Sequence, residues 1–112
     1  MNTLQVETVF DPEIIEDLAA VFGRQRLMDL LAGLEREIAQ RLAPASTDLD
    51  DLSHDAHVLV SVSGSLGFLP LSQACATLER VCLDGGDPVP ALAAVRKAAT
   101  EAQRYIVLLR SR

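Results

Sequence analysis

The sequence predicts an all-α fold, an antiparallel up-down-up-down four-helix bundle with a short additional helix at its N-terminal end. Three observations predict it. Apolar residues recur at helical spacing along most of the chain. Of the 49% that are hydrophobic, only Phe10, Phe22, Phe68 and Tyr105 are aromatic, so Leu, Ala, Val and Ile must fill the core, a composition suited to packed helices. The links between the periodic segments are short, which makes successive helices antiparallel neighbours.

Phe10-Asp11-Pro12-Glu13 punctuates the first start, with Asp11 as N-cap, Pro12 at the first helical position and Phe10 set to staple onto Ile15. The helix that follows is expected to carry Ile14, Leu18 and Val21 inward and to end near Gly23. From Arg24 to about Leu42, the stripe Leu27, Leu31, Leu34, Ile38 and Leu42 marks the second helix. Ala43-Pro44-Ala45-Ser46 breaks the pattern, and Thr47 with Asp50 reads as a capping-box-like restart. The third helix then has the seam Leu49, Leu52, Ala56, Leu59, Ser63 and Leu66. Val58 to Ser63 alternates like a strand, but the seam runs beyond it on both sides and no second strand is available to pair with it. Gly64 and Gly67 loosen the end of this helix. Pro70 restarts a fourth, carrying Leu71, Ala74, Cys75, Leu78, Val81 and Cys82 until Asp84-Gly85-Gly86 stops it. Asp87-Pro88 caps the last helix, whose seam is Leu92, Val95, Ala99, Ala102, Ile106 and Leu109.

A chain of 112 residues is expected to form one domain, spanning 1–112. Its net charge of −6 withholds the basic field by which nucleic-acid binders and anionic-membrane binders work, so the expected partners are proteins. No apolar run approaches the roughly 18 residues that span a bilayer, and the opening MNTLQVETVFDPE lacks the layout of a signal peptide. A cytoplasmic location is expected. Cys75 and Cys82 are seven apart on one helix, too far for a disulfide at about 1.5 Å rise per residue, and read as buried thiols.

Only His54 and His57 titrate near neutral pH, and both fall in the third helix. His57 lies beside the buried stripe and His54 further out. The chain around them, Asp55-Ala56-His57-Val58-Leu59 followed by Ser61, Ser63, Leu66-Gly67 and then Leu71, Cys75 and Leu78-Glu79, resembles the histidine-phosphotransfer (HPt) domain family. The likeness runs over the whole chain, including the opening Phe10-Asp11-Pro12. It implies a small helical bundle that carries a phosphoryl group on one histidine, here His57, between hybrid histidine kinases and the receiver domains of response regulators. It gives His54 no counterpart role. It implies no cofactor on the chain itself, the Mg²⁺ being expected on the receiver. The acidic charge argues against nucleic acid and membrane as partners, and no exposed heptad stripe beyond the bundle's own seams demands an oligomer, so a monomer is expected. Where the family reads His-x-Leu-Lys-Gly, this chain reads His57-Val58-Leu59-Val60-Ser61. The lost ammonium is worth about 1–3 kcal/mol beside a phosphoryl group. Arg80 or the partner is expected to supply a cation, with Ser61 as a weaker donor.

Antiparallel geometry places a partner for the histidine. With the turn at about residue 68, the position level with His57 is Glu79. A carboxylate there would hold Nδ1–H and leave Nε2 to attack an aspartyl phosphate in line. Docking is expected around His57 through Val60, Ser61, Gly64 and Phe68. Two further readings carry less. His54-x-x-His57 with Asp50 or Asp51 has no third strong ligand on another helix, so no metal site is expected. No Gly-x-Ser-x-Gly or phosphate-binding glycine loop marks a hydrolase. The alternative function is a degenerate bundle that binds kinase or regulator as a scaffold or inhibitor without transfer, for which the absent lysine speaks.

Overall fold

A computed structural model describes residues 9–42 and 47–111. Among these residues the chain is entirely helical: α1 Pro12–Phe22, α2 Arg24–Leu42, α3 Leu49–Ser65, α4 Leu69–Leu83 and α5 Val89–Ser111. The break expected at Ala43-Pro44-Ala45-Ser46 lies outside the described residues.

Local chemistry sets the ends. Asp11 caps α1 by accepting from Glu13 N–H at 2.9 Å, and Gly23, at φ 84°, closes it. At α3 the cap is Asp48, not Thr47: α3 begins at Leu49, so the carboxylate of Asp48 meets both Asp50 N–H (2.8 Å) and Asp51 N–H (3.2 Å). Asp87 accepts from Val89 N–H at 3.1 Å and caps α5. The alternating stretch 58–63 is helical, because each of its neighbours along the seam has a core to face.

The predicted stripes form one core. Leu27, Leu31, Leu34, Ile38 and Leu42 of α2 are buried, as are Leu52, Ala56, Leu59 and Ser63 of α3, Leu71, Cys75, Leu78 and Cys82 of α4, and Val95, Ala99, Ala102, Ile106 and Leu109 of α5. Leu49 and Leu92 are half-buried at its margin. The Ser63 hydroxyl is satisfied by the Leu59 carbonyl. Both cysteines are free and buried, and burial pushes the Cys75 thiol up to about 12, which keeps it protonated and inert.

Two expectations of placement change. On α1 the buried residue is Ile15, while Ile14 and Leu18 are half-buried and Val21 is 73% exposed. Six residues beyond Ile15, Val21 is rotated about 120° from it, off the side that the anchored first turn presses onto the bundle. Phe68, expected on a docking surface, is fully buried; its ring lies 5.4 Å from that of Phe10, which in turn lies 5.9 Å from Tyr105. The turn that carries Phe68 is covered by the start of α1, where Asp11 N–H donates to the Gly67 carbonyl at 2.9 Å.

Specific pairs fix how the helices meet. His57 with Glu79 and Val60 with Ser72 show α3 and α4 running antiparallel about the Leu66-Gly67-Phe68 turn. Arg110 reaches Glu35 and Arg96 reaches the Leu42 carbonyl, joining α5 to α2 in the opposite sense. Arg41 binds Glu37 at 2.6 Å and Asp55 at 2.7 Å, tying α2 to α3; the bond to Glu37 foremost raises the guanidinium pKa above its ordinary value. No described helix is long and apolar enough to cross a membrane.

Because Phe68 is a core residue, Phe68→Ala is expected to cost about 3–5 kcal/mol in urea unfolding. A residue acting only in docking would leave the unfolding midpoint unchanged.

Candidate functional site

The α3–α4 turn decides which side chains face each other. Gly67 has φ 86°, and a Cβ built on it would stand 3.1 Å from Ile14 Cβ and 3.3 Å from the Asp11 carbonyl. Glycine is therefore required there twice over, by conformation and by close approach. Phe68 N–H donates to the Ser63 carbonyl at 2.9 Å and sets the two helices side by side. At the penultimate residue of α3, a Cβ on Gly64 would meet Ser72 Oγ at 3.1 Å, and that hydroxyl donates to the Val60 carbonyl at 2.9 Å. The small pair Gly64 and Ser72 is thus the point where the two rods approach and are bonded.

From that register, His57 and Glu79 fall level. Nδ1 of His57 lies 2.9 Å from Oε2 of Glu79. The imidazole is 65% exposed while the carboxylate is only 25% exposed, so the ring stands out from the surface on a held acceptor. An ionised carboxylate can only accept, so this pair calls for the proton on Nδ1 and leaves Nε2 outside it. The pair sits in a shallow depression of about 400 Å³ lined by Asp50, Ser53, His54, His57, Glu79 and Leu83.

Of the residues expected to surround the histidine, Ser61 is exposed, Gly64 is half-buried, and Val60 is half-buried with its side chain against the core. Phe68 is not on this surface at all. Arg80 is exposed on α4 but does not line the depression. Ser72 and Leu83 were not expected. The same reflection about residue 68 that pairs His57 with Glu79 also pairs Gly64 with Ser72 and Ser53 with Leu83, so the signal was present in the spacing. Among the described residues no group of three or more His, Cys, Asp or Glu is placed to hold a metal ion. A larger groove of about 690 Å³ between α2 and α5 is lined by residues such as Ala39, Arg96 and Thr100 and contains no imidazole, thiol or carboxylate.

The chain matches the family model of the Hpt domain over residues 13–106. It belongs to the Hpt domain family. No curated protein and no solved structure matches it. Hpt domains perform histidine phosphotransfer in phosphorelays and interact with the receiver domains of kinases and response regulators. The stretch matched to the Hpt domain contains all of α2, α3 and α4, and with them both histidines and Glu79. An all-helical chain is what an Hpt bundle requires.

The close approach in this Hpt domain can be measured. Alanine is favoured over glycine inside a helix by about 1 kcal/mol, but at position 64 its methyl would displace the Ser72 hydroxyl from the Val60 carbonyl. Gly64→Ala is therefore expected to stabilise less in the wild-type background than in Ser72→Ala, by about 1 kcal/mol of coupling in a double-mutant cycle followed by urea unfolding.

Proposed function

We propose that this chain is a phosphorelay carrier in which His57 accepts a phosphoryl group from the aspartyl phosphate of a hybrid kinase's receiver domain and passes it to the receiver of a response regulator. The single observation that supports the reading most is the His57–Glu79 pair, an exposed ring whose Nδ1 is held at 2.9 Å by a carboxylate from the neighbouring helix. The pairings of α2 with α3, α3 with α4 and α5 with α2 favour an antiparallel up-down-up-down four-helix bundle, with α1 laid over one end and residues 1–112 acting as one domain.

In the transfer, the Nε2 lone pair of the neutral imidazole attacks phosphorus in line. The Nε2–P bond forms as the P–O bond to the aspartyl carboxylate breaks, and that carboxylate leaves with the electron pair. The proton on Nδ1 stays where it is. The ring becomes a phosphorylated imidazolium, whose positive charge lies against the Glu79 carboxylate. The receiver supplies Mg²⁺ and most of the charge stabilisation, so this chain acts as a substrate-like carrier rather than as a catalyst. Glu79 is a positioning residue. Ser61, Val60 and Gly64 form the near side of the surface on which the receiver docks, and the carrier works in the cytoplasm as a monomer.

A second reading is favoured by Val60, whose half-buried side chain puts no cation one turn beyond His57: the bundle binds kinase or regulator as a scaffold without transfer. Incubation with a phosphorylated receiver carrying labelled phosphate separates the two. Label is expected on the wild type and absent from His57→Gln; binding of both proteins without label would establish the scaffold. Glu79→Ala is expected to slow transfer about tenfold or more, while Glu79→Gln, which keeps an acceptor oxygen, recovers most of the rate. Imidazole ¹⁵N shifts should report the Nδ1–H tautomer in the wild type and a tautomer mixture in Glu79→Ala, a change that a purely structural role would not produce.

A further inference from the structure

A phosphoryl group on Nε2 of His57 brings two negative charges into the depression, and among the described residues no Lys or Arg lines it. Arg41 is held by Glu37 and Asp55. Asp55 is two residues from His57 and therefore about 200° round α3, on the opposite flank. Arg80 lies outside the lining. The residue one turn beyond His57 is Val60, whose side chain packs against the core and whose carbonyl is taken by Ser72. Of the residues lining the depression, Asp50 and Glu79 are anionic and Ser53 and Leu83 are uncharged.

His54 is the remaining one. It is exposed, lines the same depression, and precedes His57 by three residues, the spacing at which helical side chains meet. Helical side chains lean toward the N-terminus of their helix, so a group carried on His57 lies over the turn that holds Ser53 and His54 rather than over the turn that holds Val60.

We propose that His54, in its imidazolium form, is the cation that stabilises the phosphoryl group on His57, which makes the lifetime of the loaded carrier depend on pH. The inference rests on the carrier reading and adds the regulation of the same site. Groups of either charge that share the surroundings of His54 are Asp50 and Asp51 one turn earlier on α3 and Glu79 from α4; Glu37 and Arg41 of α2 meet α3 on the far flank at Asp55. Hydrolysis breaks the Nε2–P bond, returns the electron pair to the ring and passes the phosphoryl group to water as inorganic phosphate. Its loose transition state draws charge away from the outer oxygens, so a nearby cation stabilises the loaded state more than the transition state and slows the loss. Imidazole is cationic on the acid side of neutrality and loses that charge as pH rises, so the protection is present at low pH and disappears at high pH.

Substoichiometric phosphoramidate, a small phosphoryl donor, loads the wild type, His54→Gln and His54→Lys, and peptide mass spectrometry follows the loss of label from position 57. Glutamine keeps a hydrogen-bond donor and removes the charge. The intrinsic acid lability of the N–P bond cancels in the ratio of lifetimes. Wild type is expected to outlast His54→Gln about threefold to fivefold near pH 6, the factor a unit charge at roughly 4 Å gives in water, and to match it near pH 8.5. His54→Lys should outlast His54→Gln at both. Equal lifetimes of wild type and His54→Gln at both pH values would overturn the inference and leave the carrier standing. An absence of acid-labile label at position 57 would overturn the carrier and the inference with it.

Discussion

The contact between α3 and α4 sets which side chains of the candidate site meet in this Hpt domain. Two helices with ordinary side chains at their interface pack 8–10 Å apart with freedom to slide. Here Gly64 lets Ser72 come within bonding distance of the Val60 carbonyl, and the Gly67 turn closes the hairpin in that register. Register is what the contact between His57 and Glu79 needs. A shift of one residue along α4 would rotate Glu79 by about 100° and remove the acceptor from Nδ1, leaving an exposed imidazole that exchanges freely between tautomers.

The same turn explains why α1 matters to a site it does not touch. Asp11 binds the Gly67 carbonyl, Ile14 abuts the α-carbon of Gly67, and Phe10 covers Phe68. The short helix therefore clamps the end of the hairpin. Loosening of the clamp would be transmitted to His57 as a change of register rather than as a lost contact, because the connecting elements are rigid helices.

Most of the helical framework was legible in the sequence because its pattern is local. The seams of α2 through α5 follow from spacing, and the Gly and Asp punctuation marks their ends. The level of Glu79 was legible too, since a hairpin with a short turn converts sequence distance into height. What escaped was set by tertiary placement. Phe68 follows a glycine in a link between helices and reads as surface, yet it is buried because the chain before α1 folds back over it. Val21 keeps the helical spacing of an inward residue, but a helix of 11 residues anchored by its first turn need not bury its last one. Ser72 was passed over because a lone serine on a helix is usually solvated, and only the glycine opposite gives it a role.

The electrostatics of the site fit a carrier better than a store. A permanent cation beside the phosphoryl group would deepen the loaded state at every pH and make release to the next receiver harder by the same amount. A depression bounded by Asp50 and Glu79 does the reverse: under the proposed transfer its carboxylates lie beside the charge that develops on the ring, and the outer phosphoryl oxygens are left to His54 or to the partner.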